Sequence, residues 1–201
     1  MTVIVKRILD LLVSSVLLVL LSPLLGLIAL AVGLIMRRPI LFRHRRAGYR
    51  ERPFTLLKFR TMTDAQDQAG YLLPDAERLT CLGKFLRQSS LDELPQLWNI
   101  LMGDMSLVGP RPLLMEYLTR YSRAQRRRHQ VKPGITGWAQ VSGRNALTWE
   151  QKFQFDVWYV DHQSLWLDTR ILFKTILWAL TAQGINQPGH ATAEEFRGGP
   201  R

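Results

Sequence analysis

Hydropathy divides the chain into a long apolar opening and an alternating remainder. Residues 11–36 run without a charge. As one straight helix this stretch is roughly 39 Å long, enough to cross a bilayer core of about 30 Å. Ser22-Pro23 falls near its middle. Pro23 has no N–H to offer the Val19 carbonyl, a loss on the order of 3 kcal/mol in a straight helix. A break there leaves legs of about 18 and 21 Å, each reaching only part-way through a bilayer. A single kinked span and a helix that enters, bends and returns both fit this pattern.

The remainder reads as short elements. Residues 40–46 and 53–62 alternate as two strands around Ala47-Gly48-Tyr49. In the second, Phe54, Leu56, Lys58 and Arg60 share one face. The Lys58 and Arg60 spacing suits a common anion, and equally a solvated strand face. Residues 64–74 are polar, with Gly70 and Pro74, and predict a loop. Residues 75–88 predict one amphipathic helix with Leu79, Leu82, Phe85 and Leu86 on a face. Ser90 and Glu93 have the spacing of a capping box, and Pro95 suits a first helical turn. Leu94, Leu97, Trp98 and Leu101 then recur at helical spacing, which predicts a buried stripe.

Residues 103–112 form a Gly/Pro-rich loop in which Arg111 lies between two prolines. Leu114, Tyr117, Leu118 and Tyr121 predict a further amphipathic helix. It ends in Arg123, Arg126, Arg127, Arg128 and His129, a run that suits either a solvated face or an anionic leaflet. Two glycine-rich turns follow, 132–138 and 142–145, the second carrying Arg144. Residues 148–162 open with a Thr-x-x-Gln cap, 168–183 form a last helix closed by Gly184, and 188–201 read as a loosely ordered tail. The fold class is α/β and mostly helical. A membrane helix-break-helix occupies 1–38. A small globular domain with a short β-hairpin and interfacial amphipathic helices occupies 39–187.

Charge changes this picture in one respect. Lys and Arg number 27 against 16 Asp and Glu, a formal net charge of +11. Such a surplus suits nucleic acid, an anionic membrane face or an anionic substrate. The basic residues are spread rather than gathered on one reading helix, which argues against nucleic acid. Lys6 and Arg7 precede the apolar segment and Arg37, Arg38, Arg43, Arg45 and Arg46 follow it. The positive-inside tendency places both ends in the cytoplasm, which a returning helix satisfies. Cys81 is the single cysteine, so no intrachain disulfide forms. The four histidines lack HExxH spacing.

The candidate chemistry centres on Asp92-Glu93, at or just before the positive end of a helix. The dipole there holds a carboxylate ionised and also welcomes phosphate. Arg111, on a stiff loop, is a pre-organised fork for phosphate or for a structural carboxylate. Arg144, in its glycine-rich turn, is a further candidate anion ligand.

Ser22-Pro23, KFRTM (58–62), SSLDELPQLWNILMGDMSLVGPRP (89–112) and KPGITGWAQVSGRN (132–145) together resemble the bacterial sugar transferase family, the monotopic phosphoglycosyl transferases. The resemblance covers nearly the whole chain. Through GHATAEEF (189–196) it is closest to the small members that act on UDP-N,N'-diacetylbacillosamine. It implies transfer of a sugar 1-phosphate from a UDP-sugar to polyprenol (undecaprenyl) phosphate, with release of UMP, as a first membrane step of glycoconjugate synthesis. It implies Asp92 as the nucleophile that carries the phosphosugar. It further implies Mg2+ held by Glu93 and Asp92, and Lys58, Arg60, Arg111 and Arg144 on substrate phosphates. Ser22 and Pro23 become the bend of a re-entrant helix on the cytoplasmic face of the bacterial inner membrane. Association with downstream glycosyltransferases follows from the same resemblance. A membrane-tethered nucleic-acid binder and a non-catalytic scaffold are the competing readings; the second leaves Lys58, Asp92, Glu93 and Arg111 without a purpose.

Overall fold

The computed structural model describes residues 2–143, 146–181 and 195–198. The apolar opening forms two helices, α1 (Thr2–Leu20) and α2 (Ser22–Met36). They are bent by 62° at their junction. Pro23 lies in the first turn of α2, where its missing N–H costs least. Ser22 Oγ donates to the Val19 carbonyl at 2.8 Å and so replaces the bond that the proline removes. No single described helix is long and apolar enough to cross a membrane, whereas the bent pair together passes by length and composition.

Both outer ends of this pair are fixed to one globular body. Arg7 donates to the carbonyls of Ile100 and Leu101, at 2.6 and 2.9 Å, and caps the C-terminus of α5 (Gln96–Met102). Lys6 pairs with Asp168 at 2.5 Å and donates to the Val108 carbonyl at 3.1 Å. Buried Asp10 accepts from Ser106 Oγ and Leu107 N. At the other end Arg60 reaches the Met36 and Arg38 carbonyls.

Strands β1 (Leu41–Ala47) and β2 (Pro53–Phe59) pair antiparallel with Phe42 opposite Lys58 and Arg46 opposite Phe54. This is the hairpin that the alternation predicts. The free edge of β2 is closed by Asn99, which accepts from Leu57 N at 3.0 Å and donates to the Thr55 carbonyl at 2.8 Å. The single helix predicted over 75–88 is two, α3 (Asp75–Arg78) and α4 (Cys81–Ser89). Leu79 is drawn extended by a bridge to Met62, and Thr80 caps α4 through its hydroxyl. Gly83 packs so tightly on this crossing that an added Cβ would lie 1.8 Å from the Thr61 carbonyl oxygen.

A second, parallel pair, β3 (Ser106–Val108) with β4 (Gly134–Thr136), arises where only loops are predicted. Three residues are too few to show a period, and glycine lets the backbones close up. The helix expected from Leu114 to the arginines is a short 3-10 turn, Met115–Thr119, followed by α6 (Arg123–Arg126) and a second 3-10 turn. After α7 (Trp138–Val141), the Thr-x-x-Gln signal forms a full capping box at the head of α8 (Trp149–Asp161). The last helix, α9 (Leu165–Thr181), starts earlier than predicted; Gly184 lies outside the described residues.

Among the described residues three apolar clusters hold the body. The largest joins Phe54, Leu56, Leu97, Ile100, Tyr159 and Ile171, with Leu17 and Leu18 of α1 packed against it. A second seats α2 on Phe59 and Leu86. The third gathers Tyr117, Tyr121 and Phe153 around Phe196. Phe196 therefore corrects the expectation of a loose tail for its stretch. Its N–H donates to Tyr117 Oη at 3.1 Å, and Arg120 pairs with Glu195 at 2.7 Å.

Candidate active site

The acidic pair sits in a 3-10 turn, Leu91–Glu93, between α4 and α5. The expected capping box does not form. Ser90 takes a left-handed conformation with φ 57° and caps nothing with its side chain. Glu93 turns instead to two cations. Its Oε1 accepts from Lys58 Nζ at 2.5 Å and from Arg111 Nη2 at 2.7 Å. Lys58 Nζ also stands 3.8 Å from Asp92 Oδ2. The predicted stripe behind this turn is rotated: Leu97 and Ile100 are buried, while Trp98 is 53% exposed. Asn99, buried on β2, sets that rotation.

These contacts separate the two carboxyls. Asp92 is only 7% exposed, and burial pushes its pKa up to about 6 against the pull of Lys58. Burial acts the same way on Glu93, but Arg111 and Lys58 overcome it and hold Glu93 well below the usual carboxylate range. Arg111 is in turn raised, chiefly by Glu93. The result is a permanently charged Glu93 that fixes two cations beside a carboxylate able to change charge near neutrality.

Arg111 is held from behind. Arg128 donates to the Arg111 carbonyl at 2.7 Å while pairing with Asp156 at 2.7 Å. Arg128 is 3% exposed, so the basic run it belongs to is neither a wholly solvated face nor a wholly leaflet-facing one. Its burial beneath α8 gives no sign at the level of local pattern.

Arg60 corrects another expectation. β2 ends at Phe59, and the guanidinium of Arg60 lies on the Met36, Arg38 and Met62 carbonyls and on Asp64. It seats the end of α2 and does not join Lys58. Arg144 lies outside the described residues. Ser22 and Pro23 form the bend, apart from the acidic pair. Two arginines that the sequence reading left aside come near. Arg87 donates to Thr61 Oγ1 at 3.0 Å and stands within electrostatic range of Asp92. Arg46 neighbours Arg111 and Glu93. Pairing the hairpin on paper would have found Arg46, since it shares the face of Lys58.

Among the described residues no group of three or more His, Cys, Asp and Glu side chains is arranged to hold a metal. Asp92 and Glu93 offer oxygen donors only, a set suited to a hard cation completed by substrate phosphate.

The sequence pattern that defines bacterial sugar transferases matches residues 1–182. The chain belongs to the bacterial sugar transferase family. An uncharacterized sugar transferase of Bacillus subtilis, EpsL, is 53% identical over 195 residues, covering 97% of this chain and 96% of that one. A UDP-glucose:undecaprenyl-phosphate glucose-1-phosphate transferase of Klebsiella pneumoniae is 41% identical over 85% of this chain. A UDP-galactose-lipid carrier transferase of Erwinia amylovora is 42% identical over 85% of it. The chain spans 39% of the length of each of these last two relatives. Membership makes the chain a sugar transferase; the Klebsiella relative is named for undecaprenyl phosphate and the Erwinia relative for a lipid carrier.

Proposed function

We propose that this transferase moves a sugar 1-phosphate from a UDP-sugar to polyprenol phosphate in two steps. The observation that carries the proposal is the buried Asp92 beside a Glu93 clamped by Lys58 and Arg111. In the first step an Asp92 carboxylate oxygen attacks the phosphorus that bears the sugar. A P–O bond forms to Asp92 and the bridging P–O bond breaks, its electron pair leaving on UMP. In the second step a phosphate oxygen of the lipid attacks the same phosphorus and the Asp92 carboxylate leaves. A covalent relay of this kind divides one difficult displacement into two easier ones.

An anionic nucleophile meets an anionic diphosphate, so charge has to be offset. Lys58 lies beside Asp92, and Arg111 presents a fork on a loop stiffened by Pro110 and Pro112. Glu93 and Asp92 would hold Mg2+, which when bound supplies further charge neutralisation at the phosphates. Arg144 belongs to the same anion-binding set in this proposal. The donor proposed is UDP-N,N'-diacetylbacillosamine, on the resemblance of the 189–196 segment to the small members of the family. A downstream glycosyltransferase is the consumer of the product.

The bent helix pair is proposed as a re-entrant anchor from the cytoplasmic face of the inner membrane. Its legs, about 28 and 22 Å long and bent by 62°, put the bend roughly 13 Å off the line joining their outer ends, short of a bilayer core of about 30 Å. Both outer ends dock on one body, which supports a return to the same side. Phe85, Trp98, Met102, Trp166 and Phe173 are exposed apolar side chains outside the pair and suit a membrane interface. That depth brings the lipid phosphate to a site open to a soluble nucleotide.

Incubating the purified chain with Mg2+ and a panel of UDP-sugars tests the chemistry through UMP. One sugar is expected to release UMP without acceptor and to leave its phosphosugar on Asp92, seen by peptide mass. Normal turnover by Asp92→Asn overturns the reading. Changing Ser22-Pro23 to Ala-Ala is expected to straighten the segment and move a reporter fused at residue 1 across the membrane; an unmoved reporter counts against the bend.

A further inference from the structure

We infer that Arg46 is a second anion ligand of this site, standing with Arg111 to hold the phosphate that departs with the nucleoside. The inference rests on the proposed transfer reaction. It starts from the register of the hairpin. Residues opposite one another and two apart along a strand share a face. Arg46, His44 and Phe42 therefore lie on the face of Phe54, Leu56 and Lys58. The Phe42 and His44 rings stack at 5.7 Å, as side chains on one face do. The cation-bearing face of β1 and β2 thus carries Lys58 toward one end and Arg46 toward the other.

Among the described residues Arg46 has no salt-bridge partner, although Glu93 lies within electrostatic range. Arg60, Arg78 and Arg128 each carry a carboxylate partner. Among the described residues the guanidinium of Arg46 gives no hydrogen bond and no ion pair, and its Nε is enclosed without a partner. Burial first, and the nearby charge of Arg111 second, push its pKa down. A desolvated guanidinium beside another, with its donors unspent, is a place prepared for an anion. The two forks are also held in fixed relation. Arg46 bridges Leu114, and Ala47 N donates to the Leu113 carbonyl at 3.1 Å, so β1 is laced to the chain just beyond Arg111.

The order of cations selects the phosphate. Lys58 is nearest the nucleophile, at 3.8 Å from Asp92. Arg111 reaches Glu93 and also acts on Asp92, while Arg46, bridged to Leu114 just beyond Arg111, sits at the end of the hairpin face away from Lys58. The phosphorus under attack has to meet Asp92, and the leaving oxygen lies opposite the attacking one. The farther pair of cations then faces the departing phosphate, where negative charge grows as the bridging bond breaks.

The test uses the full chain in detergent, with Arg46→Gln and Arg46→Lys. Arg46→Gln is expected to weaken UMP binding about tenfold or more and leave uridine binding unchanged, with Arg46→Lys between it and the parent. In a single turnover without acceptor, UMP release by Arg46→Gln slows at least about tenfold, while discharge of preformed adduct by polyprenol phosphate keeps its rate. Unchanged UMP affinity, or equal slowing of both half-reactions, overturns the inference. So does weakened binding of a short prenyl phosphate with UMP unaffected, which assigns Arg46 to the lipid phosphate. A parent chain that neither binds UMP nor releases it refutes the transfer reaction itself.

Discussion

Asp92 and Glu93 are neighbours in the chain and are driven in opposite directions by their surroundings. Glu93 receives Lys58 and Arg111 on one oxygen, at 2.5 and 2.7 Å, and its charge is fixed. Asp92 is enclosed with less compensation, and its pKa stands near 6. One carboxylate organises cations, and the other is kept more basic, hence more nucleophilic, than a solvated aspartate.

The rate of UMP release is expected to follow the ionised fraction of Asp92. It falls about tenfold for each pH unit below the Asp92 pKa, which is about 6 without metal and is lowered by bound Mg2+, and levels off above it. Single-turnover measurements across pH 4–8 check this; a rate that does not fall toward acid pH contradicts it.

Asp92→Asn is expected to stabilise the fold at pH 8. The folded-state pKa, about 6, exceeds the ordinary 3.8, so the folded chain binds more protons than the unfolded one between those values. Stability contributed by the protonated carboxyl is full below about 4 and is lost as pH rises through 6. Asparagine carries no such charge. Thermal unfolding without metal should show the variant more stable by about 1–3 kcal/mol at pH 8 and level with the parent near pH 4. A variant less stable at pH 8 contradicts the account.

Lys58→Met removes the cation nearest Asp92 and one of two on Glu93. The rate is expected to fall by about 10²–10³, and the acid limb to move up in pH because Lys58 lowers the Asp92 pKa. A limb that stays in place or moves down shows that Lys58 does not act on Asp92.

Arg60→Met tests the reassignment of that residue. Losing its bonds to the Met36 and Arg38 carbonyls is expected to cost about 1–3 kcal/mol of stability and to leave UMP affinity unchanged. A large loss of UMP affinity with unchanged stability would return Arg60 to the phosphate site.

Local signals in the sequence were reliable wherever one element decided the outcome. Ser22-Pro23 breaks the apolar run, Thr148 and Gln151 cap α8, and the alternation around Gly48 gives the hairpin. Failures came where another part of the chain intervened. Asn99 claims the edge of β2 and turns Trp98 outward. Glu93 leaves its capping role for cations brought by β2 and the Pro-Arg-Pro loop. Arg60 leaves the face of Lys58 because the strand has already ended and bare carbonyls at the close of α2 await a donor. Arg128 is charged and buried, a combination that stands only because Asp156 comes to it from 28 positions along the chain. The acidic pair was legible because it is adjacent in sequence; its opposite titration was not, because both causes are tertiary.

The first helix belongs to the packing of the body. Lys6, Arg7 and Asp10 satisfy backbone carbonyls, an amide and a buried hydroxyl of the catalytic body, and Leu17 and Leu18 pack on its largest cluster. Removing this helix would therefore strip a wall from the core and leave those groups bare. Preparations of this enzyme have to keep this helix, together with the exposed apolar side chains it carries, for the body to hold its packing.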